Sequence, residues 1–130
     1  NQLSAEALQA LARECEMLRY RIGQPILQRD IMPQQVAVIF IGQVRLLSFD
    51  HRTQSPVSVQ LAGPHEILGW SSLVRGVAYE TAIASNETIC ITLPAQVFLS
   101  LLESEPTLAR EFQNRCTKSE ICELLSLELQ

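Results

Sequence analysis

The chain has 130 residues, a formal net charge of −4 and 47% hydrophobic residues, which suits one domain with a modest core. No run of 18 apolar residues could cross a bilayer as a helix, and the polar-amphipathic start NQLSAEALQALARE lacks the charged-then-apolar order of a signal peptide. Nine Arg and one Lys (Lys118) form no basic run, so direct nucleic-acid binding is not expected, because phosphate neutralisation needs grouped cations.

Cys15, Cys90, Cys116 and Cys122 are separated by 74, 25 and 5 residues, and neither His is near a Cys. This spacing argues against a zinc site and against a disulfide framework. It suits a reducing compartment, and a cytoplasmic location is expected. The chain starts without Met and ends in a helical pattern, so it is expected to be a segment of a longer protein.

In chain order, Ser4 is a plausible N-cap, and Leu8, Leu11, Ala12 and Cys15 recur at helical spacing, which predicts a helix near 4–15. Leu18, Tyr20 and Ile22 alternate with Arg19 and Arg21, a strand pattern. Gly23-Gln24-Pro25 is a turn and Ile26 to Arg29 a short strand. A polar loop from Asp30 to Gln35 leads to a hydrophobic strand, Val36 to Ile41. Gly42 is read as a hairpin residue, followed by a strand from Gln43 to Leu47. Asp50 to Pro56 reads as a polar loop that leaves His51 solvated. Val57, Val59 and Leu61 mark a strand with one buried face.

The stretch GPHEILGWSSLVRGVAYETAIA, from Gly63 to Ala84, organises the rest. It holds a short strand (Ile67, Leu68), then Gly69, a helical turn (Ser71 to Val74), Gly76 and a strand from Thr81 to Ser85. A glycine opening a helical turn leaves backbone N–H groups that can hold an anion. Asn86-Glu87 is read as a two-residue turn to a strand from Thr88 to Thr92, in which Cys90 is a buried free thiol. Pro94 suits a first helical position for a helix near 95–103. Thr107 is read as the cap of a second helix near 107–125, with Leu108, Phe112 and Cys116 on one face. Ile121, Leu124, Leu125, Leu127 and Leu129 make a Leu-rich end that is expected to be exposed, a candidate partner or dimer surface.

No catalytic residues are expected. His51 and His65 support no Ser-His-acid or Cys-His arrangement, Gly69-Trp70-Ser71 lacks the second glycine of a nucleophile elbow, and no P-loop is present. Glu66 and Glu80 flank turns, where carboxylates are usually solvated, so they are not read as an acid/base pair.

Two stretches resemble the cyclic-nucleotide-binding domain family. Residues 65–83 fit its phosphate-binding cassette: His65 to Gly69 fit the opening, Ser72-Leu73 the turn, Gly76 the loop glycine and Thr81-Ala82-Ile83 the closing strand. Residues 20–47 fit the family's aromatic-x-x-Gly start, hydrophobic strand, glycine and Val-Arg strand. The resemblance covers about residues 15 to 125. It implies a mainly β fold with flanking α, an antiparallel jelly-roll barrel with an N-terminal helix and C-terminal helices. It also implies a candidate ligand pocket formed by Glu66, Gly69, Trp70, Ser71, Ser72, Leu73, Arg75, Tyr79, Glu80 and Thr81.

Two positions depart from the family. Trp70 stands where a ribose-binding Glu is usual, and an indole donates but cannot accept. Tyr79 stands where a phosphate-binding Arg is usual, and Glu80 follows where Ser or Thr is preferred. Usual binding of cyclic AMP or cyclic GMP is therefore disfavoured, and no cofactor or metal is assigned. Arg75 is expected to be able to swing in as a substitute phosphate ligand. Trp70 and Tyr79 are alternatively expected to fill the pocket or to stack on a flat apolar ligand. The Gly-Trp-Ser-Ser-Leu sequence resembles cassettes that precede some bacterial ABC-type peptide or toxin exporters. The expected role is a regulatory sensor acting on a downstream domain of the same chain. The alternatives are the sensor of a catabolite activator-type transcription regulator and a pure dimerisation module without a ligand.

Overall fold

Side-chain alternation from Glu16 to Pro94 produces eight strands in the computed structural model, which describes residues 5–128. After helix α1 (Ala5–Glu14) come β1 (Glu16–Tyr20), β2 (Pro25–Leu27), β3 (Gln35–Ile41), β4 (Val44–Asp50), β5 (Ser55–Ala62) and β6 (Ile67–Leu68). A short helix, α2 (Trp70–Arg75), precedes β7 (Thr81–Ala84) and β8 (Thr88–Pro94). Three helices finish the chain: α3 (Ala95–Ser104), α4 (Pro106–Asn114) and α5 (Lys118–Glu128). The strands pair antiparallel in two four-stranded sheets, ordered β1-β8-β3-β6 and β2-β7-β4-β5. Their inner faces bury one core, in which Ile39, Val44, Ala82 and Cys90 are fully enclosed. This is the expected jelly roll. Among the described residues it is two facing sheets, and no strand pair closes them into a barrel.

Two turns read from sequence as hairpins are corners between the sheets. β3 and β4 belong to different sheets, as do β7 and β8. The two corners lock into each other. The Gln43 N–H donates to Asn86 Oδ1 at 2.9 Å, the Ser85 N–H donates to the Gln43 carbonyl at 2.8 Å, and the Thr88 hydroxyl donates to the same carbonyl at 3.3 Å. Gly42 permits this approach. Its φ is +115°, and a Cβ there would lie 2.7 Å from Thr88 Cα and 2.8 Å from the Glu87 carbonyl oxygen.

Element boundaries differ from the sequence reading for local reasons. β1 starts at Glu16 because the ladder with β8 begins with Glu16 opposite Thr92, and Ile22 is exposed beyond its end. β4 runs to Asp50 and β5 begins at Ser55, so part of the expected loop is ladder, with Phe49 opposite Pro56. Pro56 is tolerated because β5 is an edge strand. Pro94 ends β8 as the N-cap of α3. Pro106, not Thr107, opens the next helix, and the extended Arg115 splits the expected 107–125 helix into α4 and α5. Ser4 lies outside the described residues.

The helices carry a second core. Val36, Trp70, Leu93, Phe98 and Phe112 are buried together, with Phe112 tilted against Trp70 at 5.2 Å and edge-on to Phe98 at 5.3 Å. Replacing Gly42 by Ala should cost at least ~1–3 kcal/mol for the left-handed backbone alone, with the clash on Thr88 adding to it. Gly63→Ala, which meets nothing within 4 Å, should stay within about 0.5 kcal/mol of the parent or above it. Urea denaturation of the two variants checks this difference.

Candidate functional site: a cavity between the roll and the last helix

β6 runs directly into Gly69, whose φ of +90° turns the backbone into α2. A side chain at Gly69 would press on the Gln35 carbonyl at 3.2 Å. Gly76 ends α2, its N–H donating to the Ser72 carbonyl at 2.7 Å. Beside this turn lies a cavity of about 430 Å³. Leu46 and Ala62 line it from the inner sheet face, Gly69, Trp70 and Ser71 from the α2 turn, and Glu80 from just before β7. Residues 115–118, from the α4–α5 link and the start of α5, line the remaining side, with Glu66 and His65 exposed at the rim. A larger groove of about 740 Å³ lies between α2, α3 and α4, away from Glu80.

Glu80 is not the solvated acid expected from its position. It is 5% exposed, and its Oε2 accepts a hydrogen bond from the Ser119 hydroxyl of α5 at 2.6 Å. Burial pushes the Glu80 carboxyl up from its ordinary value; the Ser119 hydrogen bond partly offsets this and the nearby Glu120 charge adds to it. Tyr79 is buried beside it and donates to Ser71 Oγ at 3.1 Å. Desolvation raises the Tyr79 phenol to about 12, so it remains a neutral donor. Tyr79 does not line the cavity. Trp70 contributes a wall while its indole packs into the helical core, so it does not fill the cavity.

Arg75 is committed elsewhere. Its Nε donates to Glu120 Oε2 at 2.7 Å, and Nη2 reaches the carbonyls of Gln113 and Arg115. It does not line the cavity, and the expected substitute role would require it to leave these partners. Glu66 takes the Gly63 N–H at 2.7 Å and the Gln60 amide at 2.9 Å. Thr81 accepts the Arg29 N–H at 3.1 Å, and Leu73 packs on the helical core. Of the ten candidate residues, Glu66, Gly69, Trp70, Ser71 and Glu80 line the cavity. Ser72, Leu73, Arg75, Tyr79 and Thr81 support the frame around it.

The sequence reading missed the polar face of α5. Ser119 holds Glu80, Glu120 holds Arg75, and Glu123 contacts His51 and lies 3.9 Å from Arg29. His51 is therefore half-buried under α5 and not solvated, its ring edge-on to Phe49 at 5.0 Å. The Arg29 guanidinium lies over that same Phe49 ring at 4.6 Å. A signal for the start of α5 was present in Thr117-Lys118-Ser119-Glu120. The Thr117 N–H donates to Glu120 Oε1 at 2.8 Å and the Glu120 N–H to Thr117 Oγ1 at 3.1 Å, a reciprocal capping box.

The chain belongs to the cyclic nucleotide-binding domain family, whose model matches residues 17–105. No curated protein matches it. Among solved structures, the catabolite activator protein of Thermus thermophilus is 25% identical, with a TM-score of 0.67 over 98% of this chain and 55% of that one. The regulatory subunit of a cAMP-independent protein kinase A from Trypanosoma brucei is 14% identical, with a TM-score of 0.78 over 99% and 46% of the two chains. Its Trypanosoma cruzi counterpart, described as bound to guanosine, is 16% identical, with a TM-score of 0.79 over 95% and 43%. The chain thus spans about half the length of these proteins. The family is a regulatory one, and the jelly roll is its fold. No helix among the described residues is long and apolar enough to cross a membrane.

Glu80 gives the site a pH signature of known sign. Its folded value lies above the ordinary carboxylate value of 4.5, so its contribution to stability is present below about pH 4.5 and is lost as pH rises through the folded value. Glu80→Gln keeps an acceptor for Ser119 without the charge. The variant should gain stability relative to the parent above that window, and the gap should close towards pH 4.5. Paired thermal unfolding from pH 4 to 8 measures it; a gap that widens as pH falls contradicts the assignment.

Proposed function

We propose that this chain is a regulatory sensor module whose cavity takes a ligand without a cyclic phosphate, and that α5 reports occupancy to a downstream domain. The observation that supports this most directly is the Glu80–Ser119 hydrogen bond. It puts a buried carboxylate in the cavity wall and ties that wall to α5. A phosphate entering there would meet no buried arginine and would face, in Glu80, a group that is neutral or negative. The cations that line the cavity, Arg115 and Lys118, are exposed and so lack the desolvated pairing that makes a buried Arg a strong phosphate ligand. Losing a buried charged partner costs ~2–5 kcal/mol, roughly 30- to several-thousand-fold in affinity. A fold relative described as bound to guanosine, a nucleoside with no phosphate, is consistent with an uncharged ligand. In titration calorimetry with cyclic AMP and cyclic GMP, the parent chain should show no micromolar binding. Restoring the family residues with Tyr79→Arg and Glu80→Ser should raise affinity at least tenfold. Micromolar binding by the parent overturns this reading.

The exporter context rests on the likeness of Gly69-Trp70-Ser71-Ser72-Leu73 to exporter cassettes. Membrane spans followed by a P-loop in the parent protein would support it, and a helix-turn-helix would support a transcription regulator instead. One observation favours a dimerisation role. Ile121, Leu124 and Leu125 are 49%, 61% and 54% exposed on α5, while Leu127 and Leu129 lie outside the side chains described. If α5 is a dimer seam, Leu124→Ser should lower the dimer fraction in sedimentation without changing the unfolding midpoint. Unchanged sedimentation of a dimeric parent rules the seam out.

A further inference from the structure

A ligand without a phosphate can be neutral or cationic, and the wall of the Glu80 cavity decides between the two. The Ser119 hydroxyl occupies only Glu80 Oε2. Oε1 has no hydrogen-bond partner among the described residues. It is also not one of the partnerless side-chain atoms sealed from solvent, which are Arg29 Nε, Ser48 Oγ and Glu123 Oε1. Glu80 is 5% exposed and lines the cavity, so this oxygen is the polar group that an occupant meets at depth. Around it the wall is apolar, with Leu46, Ala62, Leu68 and Trp70 all buried. Ser71, the other buried polar side chain of the lining, is already bonded to Tyr79.

We propose that the ligand of this cavity carries a protonated nitrogen, as an amine or an amidine, whose N–H donates to Glu80 Oε1. This rests on the reading of the cavity as a site without a cyclic phosphate. A neutral donor would leave the buried carboxylate charge uncompensated, whereas a cation gives it an opposite charge at hydrogen-bond distance. An anion would be repelled. The cation is organic, because among the described residues no three His, Cys, Asp or Glu side chains are grouped to hold a metal ion. Glu120 on α5 adds its negative charge at Glu80, although it also pairs with Arg75, and Tyr79 beside Glu80 stays neutral. His65, Glu66, Arg115, Cys116 and Lys118 line the mouth and are exposed, so solvent screens their charges. The volume of about 430 Å³ falls near the lower end of the ~300–1,000 Å³ usual for small-molecule sites. That suits a small apolar body, of one or two rings, bearing the charged group.

The test is titration calorimetry of the whole chain with benzamidine, a flat amidinium, and with benzamide, its uncharged isostere. At pH 8 benzamidine should bind about ten- to hundredfold more tightly, the range that a hydrogen bond to a charged group supplies. Glu80→Gln keeps an acceptor for Ser119 without the charge and should remove this preference. In the parent, benzamidine affinity should fall as pH is lowered from 8 towards 4.5, because Glu80, raised by burial above its ordinary 4.5, takes up a proton and loses its charge. Benzamide affinity should stay flat over the same range. Equal affinity for the two probes, no saturable benzamidine binding, a benzamidine affinity that does not fall with pH, or a preference that survives Glu80→Gln would each overturn the proposal. Micromolar binding of cyclic AMP or cyclic GMP by the parent would instead overturn the reading on which it rests.

Discussion

A carboxylate taken out of water must find a partner, and much of this structure answers to that requirement at Glu80. Isolated buried charges are among the most expensive features a protein can carry. Glu80 lies in the cavity wall just before β7. Its partner comes from Ser119, which is itself 1% exposed. This hydrogen bond is one of the contacts that dock α5 on the roll. Docking is reinforced from two more places, through Arg75 on α2 and through His51 and Arg29 beside β4 and β2.

The sheet topology explains why a residue just before β7 can serve this purpose. β7 lies between β2 and β4, with Ala82 opposite Leu46 and Ala84 opposite Val44. Its inward side chains, Ala82 and Ala84, are enclosed in the core between the sheets, and the cavity begins just before the strand, at Glu80. The interlocked corners at Gly42 and Thr88 fix the far end of this strand relative to β3. Glu80 is thus held by a frame that is rigid at one end and by a helix at the other.

Much of the fold was legible in sequence because it depends on local rules. Alternation marked the strands, Gly69 and Gly76 bracketed α2, and Cys90 sat on an inward position. The corners at Gly42 and at Asn86-Glu87 were misread, because a turn residue shows that the chain reverses and not which sheet receives it. The site was harder. Glu80 and His51 look like solvated polar residues beside turns, and they are buried by residues 39 and 72 positions further along the chain. Burial imposed by a distant helix leaves no local pattern. The capping box at Thr117 and Glu120 was the one local sign that a helix starts there, and the helical period running through Cys116 obscured it.

The chain buries two apolar clusters: Ile39, Val44 and Cys90 between the sheets, and Trp70, Phe98 and Phe112 among the helices. Each contains its own fully or nearly enclosed aliphatic or aromatic residues. A structure divided this way need not open all at once, because the helical layer can detach while the sheets keep their ladders. The amide protons of α4 and α5 would then exchange with solvent through a lower barrier than those of β3 and β8. A difference of that kind would let the helical cover come off and return without global unfolding.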